Sequence, residues 1–165
     1  MFDTVLIAGL GLMGGSMAKT IKARTLSRVL GWNRTRATAE QALADGSIDA
    51  IATEALYKEA DLVIIGLYPQ ATVDWLLENM PKMKKGCVIV DMVGVKQFMV
   101  DHLEQAALDA GVHYVGGHPM AGREFSGLDY SLPTLFDGAS MIFVPTKSST
   151  ERVLEQLEAY FMSLG

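Results

Sequence analysis

The stretch that constrains this chain most is Val5-Leu6-Ile7-Ala8-Gly9-Leu10-Gly11-Leu12-Met13-Gly14-Gly15-Ser16. An apolar run of strand length enters Gly-x-Gly-x-x-Gly and passes straight into Met17-Ala18-Lys19-Thr20-Ile21-Lys22, which reads as a helix. Strand, glycine turn and helix in that order form a dinucleotide-binding arrangement, whereas the glycines alone would also suit a plain connection. Gly9 permits the tight turn, Gly11 lets the backbone approach a pyrophosphate, and Gly14 lets the helix pack close to the strand. The free N–H groups of that helix face the anion. Gly9, Gly11, Leu12, Met13 and Gly14 are therefore candidate cofactor-binding residues.

The rest of the chain repeats the alternation. Strands are expected at 28–32, 49–52, 61–67, 88–92, up to 117 and at 141–144. Helices are expected at 37–45, 72–80, 97–110 and from 150 onward, with short helical pieces at 56–60 and 132–136. Asp61-Leu62-Val63-Ile64-Ile65-Gly66-Leu67 is continuously apolar after its first residue, as in a strand covered on both faces. The pattern implies one α/β domain, a doubly wound, mostly parallel Rossmann-type sheet with helices on both faces. Ligands of such sheets sit beyond the carboxyl ends of the strands. Four loops there carry unusual residues, at Gly9, Asn33, Tyr68 and His118, and Leu67, Tyr68 and Pro69 join the cofactor candidates by position.

Composition narrows the function classes. Half of the 165 residues are apolar, enough for a proper core, and the net charge is −5. No basic stripe interleaved with aromatics exists, which argues against nucleic acid as a partner. Cys87 is the only cysteine, so neither a disulfide framework nor a thiolate metal cluster is expected, and Cys87 reads as a buried core residue. No charged leader with an apolar core opens the chain, and no apolar run spans a membrane, so a soluble cytoplasmic protein is expected.

Two constellations carry chemistry. NAD sites usually place a carboxylate at the end of the second strand, and NADP sites replace it and add arginine for the 2′-phosphate. Here that position holds Asn33, followed by Arg34, Thr35 and Arg36. Two guanidinium groups, an amide and a hydroxyl suit a phosphate, and cations are otherwise unfavourable at a helix start. The sequence therefore favours NADP, with NAD second. The other constellation is Gly116-Gly117-His118-Pro119-Met120-Ala121-Gly122-Arg123-Glu124-Phe125-Ser126-Gly127. His118 sits at a strand's carboxyl end between glycines and a proline, with Glu124 and Ser126 close behind as partners to orient its ring. From the residues alone, a general base and a structural role both stay open. His102, in a helix, and His113, before a strand, read as structural.

Residues Gly9 to Ser16, Asp91 to Lys96, and above all His118-Pro119-Met120-Ala121-Gly122-Arg123-Glu124 with Ser126-Gly127 resemble the prephenate and arogenate dehydrogenases of tyrosine biosynthesis. The similarity continues through Leu135-Phe136-Asp137-Gly138-Ala139 and so covers nearly the whole chain. The resemblance implies an oxidative decarboxylation of prephenate or arogenate, with hydride passing to the nicotinamide and His118 accepting the proton of the ring 4-hydroxyl. An imidazole, with an ordinary pKa near 6.5, suits that task. Glu124 matches a polar residue near substrate and histidine, and Ser126 is a further candidate on the same loop. Lys96 matches a family lysine that either contacts substrate or stabilises its loop.

The chain departs from that pattern in two places. Many relatives carry a serine where this chain has Gly94, so the serine's role is not carried over. Family members also continue into a helical domain that forms a homodimer and supplies an arginine for a substrate carboxylate, whereas this chain stops after one further helix. The resemblance thus implies the amino-terminal domain of a longer enzyme, inactive or nearly so by itself. A hydroxyacid dehydrogenase or imine reductase using NADP, and a nucleotide-sensing module without catalysis, are the competing readings.

Overall fold

The structure, a computed structural model, describes residues 2–165. Strand β1 (Thr4–Ala8) sends alternate residues to opposite sides, Val5 and Ile7 into one buried cluster, Leu6 and Ala8 into another. Strand β4 (Leu62–Ile65) divides in the same way, Leu62 and Ile64 against Val63 and Ile65. Such strands are stable only with both faces covered. Helices α1 (Leu12–Arg24), α2 (Arg36–Ala44) and α6 (Glu151–Met162) contribute to the first cluster. Helices α3 (Glu54–Tyr57), α4 (Pro69–Asn79) and α5 (Lys96–Ala110) contribute to the second.

The sheet has seven strands in the order β3 (Ala50–Ile51), β2 (Arg28–Trp32), β1, β4, β5 (Val88–Asp91), β6 (His113–Pro119) and β7 (Met141–Val144). Neighbours are parallel except β6 and β7, which are antiparallel with Gly117 opposite Phe143 and His118 opposite Ile142. This is the doubly wound, mostly parallel sheet expected from the sequence. Strand order reverses between β1 and β4, so the loops leaving them diverge and open a crevice at their carboxyl ends.

Local departures from the expected elements have physical causes. Helix α1 begins at Leu12, inside the glycine stretch and ahead of Met17. Helix α4 begins at Pro69, because a proline in the first turn gives up an N–H that would have no partner there. Strand β6 runs on to Pro119, so His118 lies within the strand. The helical piece expected at 132–136 is absent. A 3-10 turn at Leu128–Tyr130 and successive turns over 133–138 take its place. Helix α1 ties this segment down: Ser16 Oγ accepts from Leu132 N at 2.9 Å, and Thr20 Oγ1 donates to Pro133 O at 3.0 Å. In an α-helix that Pro133 carbonyl would accept the Asp137 amide, which instead donates to Thr134 O.

Candidate active site

The glycine turn is built by exclusion. Gly9 has φ +95°, and a side chain there would also meet Gly66 O at 2.7 Å. A Cβ on Gly14 would overlap the Gly9 carbonyl oxygen, so the first turn of α1 lies directly against the end of β1. Around Gly11, by contrast, the space is open. Gly11 is the N-cap of α1 and offers no side-chain cap, and no acidic residue occupies the first turn. The helix start therefore presents uncapped amides and the positive end of its dipole to whatever lies in the crevice.

That crevice has a volume of about 510 Å³. Gly11, Leu12 and Met13 line one side, Leu67, Tyr68 and Pro69 the next, and Met92 to Val95 with Phe125 to Gly127 the remainder. Its open glycine floor and uncapped helix start fit a dinucleotide with its pyrophosphate against α1. Gly66 and Phe125 were not among the cofactor candidates read from the sequence, and the Met92–Val95 loop was singled out there only through the family resemblance of Asp91 to Lys96. A second groove of about 610 Å³ runs between β7 and α6, lined by Met141, Phe143, Leu154 and Phe161. Among the described residues that line it, Glu158 carries the one ionisable side chain.

At the end of β2, Trp32 pairs with Ala8 of β1, which brings Asn33 to the glycine turn. Asn33 Oδ1 accepts the Leu10 N–H at 2.9 Å and its Nδ2 donates to Thr35 O at 3.1 Å. Its amide thus holds two loops together, a task the sequence did not reveal. Arg34, Thr35 and Arg36 are exposed. Arg36 Nε contacts Glu40 Oε1 at 2.8 Å, an exposed pair worth little.

His118 is half-buried at the far end of β6. Its Nδ1 is buried without a hydrogen-bond partner. Glu124 and Ser126 do not supply one: both are exposed on the loop that leads away from β6, so the ring-orienting contact expected from the sequence is not made. Gly94 lies beside the ring instead, and a Cβ there would stand 3.5 Å from His118 Cε1 and 3.9 Å from Nδ1. His102 Nδ1 and His113 Nδ1 meet backbone carbonyls at 2.7 and 2.6 Å, of Phe98 and Ser148 respectively. Both have the structural setting the sequence suggested. Cys87 is fully buried, and burial pushes its thiol up to about 12, as fits a core residue.

Lys96 does not point into the crevice freely. Its ammonium pairs with Asp91 Oδ1 and donates to Gly117 O at 2.5 Å. Asp91, fully buried, also accepts the Val93 amide at 2.8 Å and the Tyr114 hydroxyl at 2.7 Å. Burial draws the Lys96 ammonium below the usual lysine range against the opposing pull of Asp91. Tyr114 is raised, by burial first and then by the neighbouring Asp91 charge, so its hydroxyl stays a donor.

Residues 17–165 match the family model described as "Prephenate dehydrogenase, nucleotide-binding domain". The chain is 36% identical over 162 residues to prephenate dehydrogenase of Bacillus subtilis, covering 96% of this chain and 43% of that protein. The crystal structure of A. aeolicus prephenate dehydrogenase in complex with hydroxyphenyl propionate and NAD+ is similar with a TM-score of 0.89 at 27% identity. That alignment covers 100% of this chain and 58% of the other. Synechocystis arogenate dehydrogenase follows with a TM-score of 0.88 at 25% identity, covering 98% and 57%. The chain therefore spans about half the length of these relatives. With the glycine turn, the crevice and the histidine at the end of β6 in place, the family match identifies the fold's lineage: this chain belongs to the prephenate dehydrogenase family and corresponds to its nucleotide-binding domain.

Proposed function

We propose that this domain binds NADP in the crevice and serves the oxidative decarboxylation of prephenate or arogenate in tyrosine biosynthesis. The observation that carries the proposal is the placement of His118. It stands at the carboxyl end of a strand in the same sheet as the glycine turn, half-exposed, with no protein partner for its buried nitrogen. When bound, the nicotinamide supplies the hydride acceptor. His118 accepts the proton of the substrate's 4-hydroxyl as hydride leaves the carbon that bears it. The carboxylate on the opposite ring carbon departs as carbon dioxide, its bonding electrons complete the aromatic ring and pass to the former hydroxyl oxygen, and that oxygen takes the proton back from His118 to leave a phenol. The glycine turn and the uncapped start of α1 hold the pyrophosphate. Arg34, with Thr35 and Arg36, addresses the 2′-phosphate, and Leu67, Tyr68 and Pro69 wall the crevice. Ser126, which lines the crevice, and Glu124, two residues before it on the same loop, are assigned to the bound substrate rather than to the imidazole.

Reading of the substrate's side-chain carboxylate or amine, and assembly into a dimer, are assigned to sequence beyond the half of the relatives that this chain spans. Residues 1–165 alone are accordingly expected to bind NADP and to turn over little substrate. The deciding measurement is turnover of prephenate and of arogenate, with NADP and with NAD, by the full natural polypeptide and its His118→Asn variant. The asparagine keeps a hydrogen bond but accepts no proton. Its kcat should fall by about 10²- to 10⁴-fold with a modest change in substrate KM. A near-normal kcat in this variant would overturn the role of His118. Absence of turnover with either substrate in the unmodified polypeptide would overturn the function.

A further inference from the structure

The ladder between β5 and β6 ends before it reaches His118. Parallel pairing joins Val88 to His113, Ile89 to Tyr114 and Val90 to Val115, while Gly116 to Pro119 are matched residue for residue by β7. Backbone groups on the β5 side of this last stretch need partners from elsewhere. The Gly117 carbonyl finds one in the Lys96 ammonium at 2.5 Å. That carbonyl belongs to the peptide unit joining Gly117 to His118, so holding it fixes the plane from which the histidine departs. The ammonium is itself held by Asp91, and Asp91 by the Tyr114 hydroxyl at 2.7 Å. Asp91 and Tyr114 are fully buried, and the Lys96 side chain is 17% exposed. No slack remains around them: a Cβ on Gly117 would overlap the Asp91 carbonyl, and one on Gly116 would stand 3.0 Å from Lys96 Cδ.

We propose that Asp91, Lys96 and Tyr114 are positioning residues, a buried chain of contacts that prolongs the β5–β6 ladder by one side-chain bond and sets the placement of His118. The inference rests on the reading of His118 as the proton acceptor. A buried ion pair adds little stability over apolar residues of the same size, but it directs one ammonium at one carbonyl. Direction matters here, because a misplacement of about 1 Å at a reacting group costs on the order of 10²-fold in rate. A lysine committed to two protein oxygens acts on substrate through the histidine that it places.

The test combines Lys96→Met, Lys96→Arg and Tyr114→Phe with His118→Asn as the reference, all in the full natural polypeptide. Two quantities are read: the His118 ring resonances by NMR, and kcat against KM with NADP. Lys96→Met is expected to move the His118 resonances and to lower kcat by about 10- to 100-fold with KM within roughly twofold. Lys96→Arg, which keeps a donor for both oxygens, should recover most of the loss. Tyr114→Phe should move the same resonances in the same direction by less. If Lys96→Met does not fold, Tyr114→Phe decides alone: shifted His118 resonances support the proposal and unshifted ones overturn it. A rise in KM with His118 resonances unmoved would make Lys96 a substrate contact and overturn the positioning role. Loss of thermal stability alone, with kcat and the resonances intact, would also overturn it. A full-rate His118→Asn variant would instead remove the reading on which the inference stands.

Discussion

His118 shows how much of a residue's role depends on what is missing beside it. Its Nδ1 is buried without a partner, and the nearest open position is Gly94, whose added Cβ would make ordinary contact with the ring. A serine there would bring a hydroxyl within reach of Nδ1, which fixes a tautomer where burial alone does not. Gly94→Ser is therefore expected to fold normally and to shift the His118 ring nitrogen resonances in an ¹⁵N spectrum, while Gly94→Ala leaves them near their starting values. Equal shifts in both variants would mean that packing, and not hydrogen bonding, is being read. At the end of β2 the proposed preference for NADP rests on Arg34, which is exposed, whereas Arg36 shares its guanidinium with Glu40. Arg34→Ala should weaken NADP binding by about 1 to 3 kcal/mol and leave NAD nearly unchanged, measured by titration of both. Equal losses for the two cofactors would place Arg34 away from the 2′-phosphate. The sequence showed residue types and strand ends, so His118 and the arginines were legible. It did not show that Asn33 would tie Leu10 to Thr35, because such bonds depend on side-chain direction and not on order along the chain.

At the scale of elements, legibility followed how local the cause was. Strands β1 and β4 announced themselves through continuous apolar runs, and Gly111 in the left-handed conformation ends α5 where the sequence put its stop. The piece at 132–136 was misread because the conformation of its segment is set by Ser16, Lys19 and Thr20 of α1, more than a hundred positions away in the chain. The start of α1 was placed too late for the opposite reason: glycine is a poor helix former, yet Gly14 is required where the helix meets β1 and Gly15 where it meets Leu128 and Ser131. That requirement is testable. Gly14→Ala would gain helix propensity but overlap the Gly9 carbonyl, so the turn must open. Loss of cofactor binding together with a lower unfolding midpoint is expected. A variant that is more stable and still binds would show that the turn does not need its close contact.

The whole molecule separates its tasks between the two ends of one sheet. The crevice and His118 occupy the carboxyl ends of the strands, while the opposite end is fastened by charge. Asp61, just ahead of β4, accepts the Asp3 and Thr4 amides at 2.9 and 2.8 Å, so β1 and β4 start in register, and it pairs with Lys84, which precedes β5. Asp49 does the same at the sheet's edge, accepting the Val29 amide and pairing with Lys22, both at distances of 2.6 to 2.7 Å. The sequence shows these acids only as strand-flanking residues, since their partners are distant. Partial burial raises Asp61, but the Lys84 ammonium and the Thr4 amide outweigh it, and the carboxyl titrates below its ordinary value in the folded protein. A group with a depressed folded pKa stabilises the fold at pH values above its unfolded pKa of about 3.9, and that contribution fades as pH falls through the folded value. Asp61→Asn should therefore unfold at lower urea concentration than the parent at pH 7, with the gap narrowing steadily below about pH 4. NADP affinity at pH 7 should be unchanged, because the fastening lies at the end of the sheet away from the crevice. A gap that persists undiminished at low pH would show that the carboxylate's charge contributes nothing, and a loss of NADP affinity would show that the two ends of the sheet are coupled.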